Sequence, residues 1–145
     1  MRALIQRVSR GKVSVEGKSI AEIGQGLIIL LGVGASDSQA EIEYLTKKIA
    51  RLRIFEDEGG KMNLSALDVG GEAIVVSQFT LYADTKKGRR PSFVHAAPPD
   101  IAEPLVEQFI NALRAQGLKT QGGEFGATML VEIDNDGPVT IWMEK

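Results

Sequence analysis

The run 27-LIILLGV-33 limits the possible folds more than any other stretch of the sequence. It is apolar without alternation, and Gly24 and Gly26 lead into it. A continuous run of this kind reads as a strand covered on both faces, because a strand with one wet face would alternate. It is also too short to cross a bilayer, which takes about 20 apolar residues in a helix. The chain must therefore supply a layer on each side of this strand.

The segment 36-SDSQAEIEYLTKKIARLRIF-55 is the clearest helix. Ile42, Leu45, Ile49 and Leu52 recur at helical spacing. Ser38 with Glu41 three residues later fits a capping box. Asp37 and Glu41 near the start, and Lys47, Lys48, Arg51 and Arg53 later on, suit the helix dipole. A second helix is expected over 100-DIAEPLVEQFINALRAQ-116, with Ile101, Leu105, Phe109, Ile110 and Leu113 on one face. Pro104 falls near its first turn, and Gly117 provides a stop.

The remaining elements read as strands. Residues 1–9 alternate loosely and resemble a strand rather than a signal peptide. Around Glu16-Gly17-Lys18, 12-KVSVEGKSIAEI-23 carries a hairpin signal. Residues 56–71 form an irregular loop rich in glycine. Residues 72-EAIVVSQFTLYA-83 read as one strand, and 118–145 as two or three. The order β-β-β-β-α-β-α-β-β-β predicts an α+β fold: a single compact domain over 1–145, with a curved, barrel-like, mostly antiparallel sheet and two main helices packed outside it.

The 145 residues include one histidine and no cysteine, and the formal charge is -2. Zinc sites built on Cys and His are excluded, as are disulfides and a Cys nucleophile. A Ser-His-Asp triad would have to use His95. No metal or cofactor is expected. The charge argues against a generally basic nucleic-acid binder, so any such contact is local. The cluster 86-KKGRR-90 is the one candidate, and it reads equally as a solvated loop. With no secretion signal or membrane span, a cytoplasmic location is expected.

Chemistry-bearing residues concentrate in two places. In 77-SQFTLYAD-84, Ser77, Gln78 and Thr80 follow the wholly apolar 74-IVV-76 at the end of a strand beside a long loop. Such a place can hold polar groups rigidly and still reach solvent, although Thr in a strand is ordinary. Strict alternation would pair Ser77 with Phe79 and Gln78 with Thr80 on opposite faces. The second place is 134-DNDGPVT-140, which reads as a turn between two strands; on composition alone its X-Pro bond is trans. Met62 and Asn63, in 62-MNLSALDVGG-71, either line a cleft or belong to a connecting loop.

Together these pieces closely resemble the D-aminoacyl-tRNA deacylases of the common bacterial and eukaryotic type. The resemblance runs from 1-MRALIQRVSRGKVSV-15 through 28-IILLGVG-34 and 61-KMNLSALDVGG-71. It carries both family signatures, 77-SQFTL-81 and 135-NDGPVT-140. It implies a homodimer with active sites at the subunit interface, and a Gly137-Pro138 pair in the cis form reaching into the partner's site. The implied reaction is hydrolysis of the ester joining a D-amino acid, or glycine mischarged on alanine tRNA, to the tRNA 3'-adenosine. Arg7 resembles the arginine bracing the Gly-Pro loop, and Phe125 the aromatic near the adenosine.

On this reading the backbone N–H groups of Phe79 and Thr80 hold the oxyanion, next to Ser77 and Gln78. The ribose hydroxyl assists, and no side-chain triad is needed. Gly137, Pro138, Arg7, Phe125, Met62 and Asn63 bind substrate, while Lys86, Lys87, Arg89 and Arg90 touch tRNA phosphates. Two alternatives stand beside it: a small non-catalytic RNA-binding module, and a hydrolase with the Thr80 hydroxyl as nucleophile.

Overall fold

The computed structural model describes all residues, 1–145. The elements are β1 (Arg2–Val15), β2 (Lys18–Ile23), β3 (Gly26–Gly32), α1 (Gln39–Ala50), β4 (Phe55–Glu56), β5 (Met62–Leu64), β6 (Glu72–Ser77), α2 (Pro99–Ala115), β7 (Lys119–Gly122) and β8 (Met129–Glu144). A single 3-10 turn, Phe79–Tyr82, follows β6.

The main sheet is ordered β2-β1-β3-β6-β7, with β8 added to β1. The pairs β1–β2, β1–β3 and β1–β8 are antiparallel, whereas β3–β6 and β6–β7 are parallel. The sheet curls until its ends meet. There the Gln121 side chain of β7 accepts from the Glu22 N–H at 3.2 Å and donates to the Glu22 carbonyl at 2.7 Å, standing in for a ladder between β7 and β2. A small separate hairpin, β4–β5, interrupts the expected loop of residues 56–71.

The run 27-LIILLGV-33 is β3, and it is covered on both faces as expected. Leu27, Ile29 and Leu31 join Ile42, Leu45 and Ile49 of α1 and Val106, Phe109 and Leu113 of α2 in the larger core. Ile28 points the other way, into the curve of the sheet, among Val8, Val13, Ile23, Ile74 and Val76. Period-2 alternation thus divides one apolar strand between two cores.

Helix α1 begins with the expected capping box: the Ser38 N–H donates to Glu41 Oε2 at 2.8 Å, and Ser38 Oγ accepts from the Ala40 N–H at 3.3 Å. Ser38 Oγ also donates to Glu41 Oε2 at 2.7 Å, and this bond, followed by that from the Ser38 N–H, lowers the Glu41 pKa below the usual carboxylate value. The helix stops at Ala50, short of the expected Phe55. Arg51 caps it, and Leu52–Ile54 run on as irregular chain into β4.

In α2 the buried face is Ala102, Val106, Phe109 and Leu113, whereas Ile101 is exposed. The helix begins at Pro99, so Pro104 lies inside it rather than in the first turn. It ends at Ala115 with Gln116 as its cap, and Gly117 follows with a φ of 92° and its N–H bonded to the Arg114 carbonyl.

Three expectations give way. Residues 1–9 and the first arm of the hairpin are one strand of 14 residues; Gly11 does not break β1, because partners hold it through its length. The strand expected over 72–83 ends at Ser77, and the chain coils into the 3-10 turn. The two strands expected around 134–140 are one strand of 16 residues, β8, which bulges instead of turning back. No helix is long and apolar enough to cross a membrane.

Candidate active site

The end of β6 is shaped by what lies beneath it. Gln78 is the last residue on the ladder, with its N–H donating to the Leu31 carbonyl at 2.8 Å. The turn Phe79–Tyr82 then folds over Gly32 of β3. A Cβ at Gly32 would meet Gln78 O at 3.1 Å and Leu81 Cβ and Tyr82 Cδ2 at 3.2 Å. A larger residue there would push the turn away, so the glycine allows this close seat.

The Leu81 N–H is the first in the turn to bond back, to Gln78 O at 3.2 Å. The N–H groups of Phe79 and Thr80 precede it, where a helical turn provides no internal acceptor. The coiling also brings Gln78 and Thr80 together: Gln78 Nε2 donates to Thr80 Oγ1. Phe79 and Thr80 are both exposed.

Beside this turn opens a cavity of about 590 Å³, lined mainly by apolar residues. Ser77, Gln78 and Phe79 form one wall, and Phe125, Gly126 and Met129 another. Phe93 completes the mouth; its ring meets Phe79 edge to face with centroids 4.9 Å apart. That volume suits a nucleoside-sized ligand, and aromatic walls suit a flat base. Phe93 is a site residue that the sequence motifs do not mark. Its only local signal was a lone aromatic in the loop after the basic cluster.

The other site residues lie elsewhere. Opposite β1, Gln6 pairs with Thr140 and Val8 with Asn135, so Asp136–Val139 bulge out facing Arg7 alone. Gly137 and Pro138 are exposed at its crest, and their peptide bond is cis, as the resemblance implied and composition did not. The Asn135 amide donates to the carbonyls of Arg7 and Val139, both at 3.0 Å, pinning the two ends.

Arg7, only 4% exposed, donates to the Asp136 carbonyl at 3.3 Å and to the Ile54 carbonyl at 2.6 Å, and pairs with the Asp136 carboxylate at 3.0 Å. Gly137 has a φ of 115°; a Cβ there would lie 2.9 Å from Val139 Cγ2 and 3.0 Å from Arg7 Nη2. Met62 and Asn63 are exposed on β5, where Arg53 donates to the Asn63 carbonyl at 2.7 Å. None of Arg7, Met62, Asn63, Gly137 and Pro138 lines the cavity beside Ser77.

His95 is also outside that cavity. It borders a separate depression with Asp37, Tyr82 and Glu144, so no Ser-His-Asp arrangement forms on Ser77. No group of three or more His, Cys, Asp or Glu side chains is placed to hold a metal. The basic residues Lys86, Lys87, Arg89 and Arg90 are all exposed at the tip of a small loop, closed at its base by paired backbone bonds between Asp84 and Ser92 at 2.8 and 2.9 Å.

The family model described as D-Tyr-tRNA(Tyr) deacylase matches residues 4–144. The chain belongs to this family of hydrolases. A relative from Thermosipho africanus, named D-aminoacyl-tRNA deacylase, is 58% identical over 145 residues, spanning 100% of this chain and 97% of the relative. One of the same name from Thermomicrobium roseum is 59% identical over 145 residues, covering 100% and 94%. Among solved structures, one named c-Myc DNA Unwinding Element Binding Protein superposes with a TM-score of 0.94 at 44% identity, covering 100% of this chain and 99% of that one.

Tyr82 closes the turn and is the one group near it with a large shift. Burial, then the neighbouring Asp37 carboxylate, raise its pKa from 10.0 to about 12. Tyr44, the other tyrosine, is shifted down, first by its hydrogen bond with Lys48. A tyrosine absorbance titration should therefore show two steps, and Tyr82→Phe should remove the upper one. Because the folded pKa is raised, the contribution of Tyr82 to stability is intact below pH 10.0 and is lost as the pH rises through about 12. Denaturant midpoints across that window should fall more steeply for the wild type than for Tyr82→Phe.

Proposed function

We propose that the protein hydrolyses the ester of D-aminoacyl-tRNA, and of glycine mischarged on alanine tRNA, while sparing L-aminoacyl-tRNA. The observation that carries this reading is the nucleoside-sized apolar cavity lined by Phe79, with the open amides of Phe79 and of Thr80 after it in the turn that borders the cavity. The terminal adenine enters the cavity against Phe125, and the acyl carbonyl lies over the turn. Water adds to the carbonyl carbon, and the resulting oxyanion accepts from the Phe79 and Thr80 N–H groups. The tetrahedral intermediate collapses, the bond to the ribose oxygen breaks, and that oxygen takes up a proton. The products are free amino acid and tRNA. The vicinal ribose hydroxyl orients or deprotonates the water, so the protein supplies position and charge stabilisation.

Chirality is read by the Gly137-Pro138 bulge of a second copy. The bulge is exposed, braced by Arg7 and Asn135, and carried on β8, which pairs on one edge only. That free edge strand exposes Leu130 at 65% and Trp142 at 47%, a surface that a homodimer would cover. The bulge's backbone holds the substrate's α-amino group and leaves no room for an L side chain, whereas a D side chain points to solvent. Glycine, lacking a side chain, passes. Met62 and Asn63, exposed on β5, contribute to substrate binding.

Lys86, Lys87, Arg89 and Arg90 meet tRNA phosphates. The reaction belongs in the cytoplasm, where tRNA is charged. The same basic loop also favours a second reading, nucleic-acid binding without chemistry, which predicts salt-sensitive binding with the ester left intact.

Under single-turnover conditions, purified protein should release D-tyrosine from D-tyrosyl-tRNA and leave L-tyrosyl-tRNA charged; intact D-tyrosyl-tRNA would sink the hydrolase reading and leave the binding one. In the same assay Thr80→Ala should keep activity within about tenfold, because the backbone rather than the hydroxyl binds the oxyanion. Complete loss in a folded variant would make Thr80 the nucleophile. Gly137→Ala, forced into a conformation that L side chains rarely adopt, should cost about 1–3 kcal/mol of stability in urea. Its larger effect should be a loss of the D-over-L preference, and normal discrimination in that variant would remove the bulge from chiral selection.

A further inference from the structure

The turn that offers the Phe79 and Thr80 amides is tied down from outside the site by a side chain that touches neither the cavity nor the bulge. Arg2, at the start of β1, donates through Nη1 to the Leu81 carbonyl at 3.0 Å. Its guanidinium stacks over the Tyr82 ring at 4.2 Å and faces the Trp142 ring of β8 at 5.8 Å. Its Nε donates to Glu144 Oε1 at 2.9 Å, a bond that holds the Glu144 carboxyl below its ordinary pKa. One planar cation thereby joins the ends of β1 and β8 to two residues of the turn.

We infer that Arg2 is a positioning residue for the reaction: it fixes the 3-10 turn so that the Phe79 and Thr80 amides point at the developing oxyanion. This rests on the backbone oxyanion reading above. The ion pair itself is too exposed to explain the arrangement by stability, its side chains being 29% and 49% accessible. The geometry also needs arginine in particular. Only a planar fork can stack on Tyr82 while donating in two directions, and an ammonium is a single point charge without that plane. Misplacement of a catalytic group by about 1 Å can cost on the order of 100-fold in rate.

The test compares Arg2→Ala and Arg2→Lys with the wild type on D-tyrosyl-tRNA. Measurements are kcat and KM, unfolding midpoints, and the backbone amide resonances of Phe79 and Thr80 in ¹⁵N-labelled protein. The expected result is a kcat at least tenfold lower in Arg2→Ala with KM within about twofold, displaced Phe79 and Thr80 amide resonances, and only partial recovery in Arg2→Lys. An unchanged kcat, a change confined to KM, or unmoved amides in a folded variant would overturn the inference. Loss of fold in both variants would overturn it too, by making Arg2 a residue of stability. If the wild type itself left D-tyrosyl-tRNA intact, the proposed function would fail, whereas active wild type beside unaffected variants would refute only the role of Arg2.

Discussion

The contact on which the rest of the arrangement turns is the burial of Arg7. Arg7 is 4% exposed and has given up most of its water, and it is tolerated because its Nε and Nη1 donors meet acceptors. Those acceptors are the Ile54 carbonyl, the Asp136 carbonyl and the Asp136 carboxylate. The requirement to satisfy this charge dictates where β8 must leave the ladder and how far its crest is pushed out. Asn135 closes the base of the same bulge. Exposed Gly137 and Pro138 are therefore held by buried chemistry, so an outward-facing segment need not be a soft one.

The parts of this fold readable from the sequence are those in which neighbouring residues decide the outcome. β3 was legible because an unbroken apolar run has few other uses, and the start of α1 because Ser38 and Glu41 satisfy each other locally. The end of β6 was not legible. Phe, Thr, Leu and Tyr all favour strands, so propensity carries the eye past Ser77. What stops the strand is the space above Gly32, which no local pattern reveals. β8 misled for a similar reason. Asp, Asn, Gly and Pro together mark a break, but whether a break is a turn or a bulge depends on the partner strand, and the arginine opposite lies 129 residues earlier.

The candidate site divides along the same line. Ser77, Gln78, Phe79 and Phe125 converge on one cavity, while Gly137 and Pro138 with Arg7 behind them, and Met62 and Asn63 on β5, lie outside it. The two motifs that carried the family resemblance sit on separate elements that do not meet around that cavity. Each motif is marked by its own residues, but nothing in either fixes its place relative to the other. Phe93 escaped notice because its contribution is a ring against Phe79, and a contact between two aromatics 14 positions apart leaves no periodic trace.

A chain with one histidine and no cysteine has few side chains with which to run acid–base or nucleophilic chemistry. The structure offers backbone instead: two amides at the mouth of a turn and a pair of peptide groups on a braced bulge. Backbone groups cannot be tuned by a pKa, so their usefulness depends on placement. That places the demand on the scaffold: Gly32 lets the turn sit low, Arg2 holds its carbonyl, and Arg7 and Asn135 hold the bulge. On the proposed function, an activated ester is the kind of substrate for which such a site suffices, since charge stabilisation and orientation together reach a barrier that is already low. On that proposal, the density of hydrogen bonds around the two backbone segments follows from the need to place them.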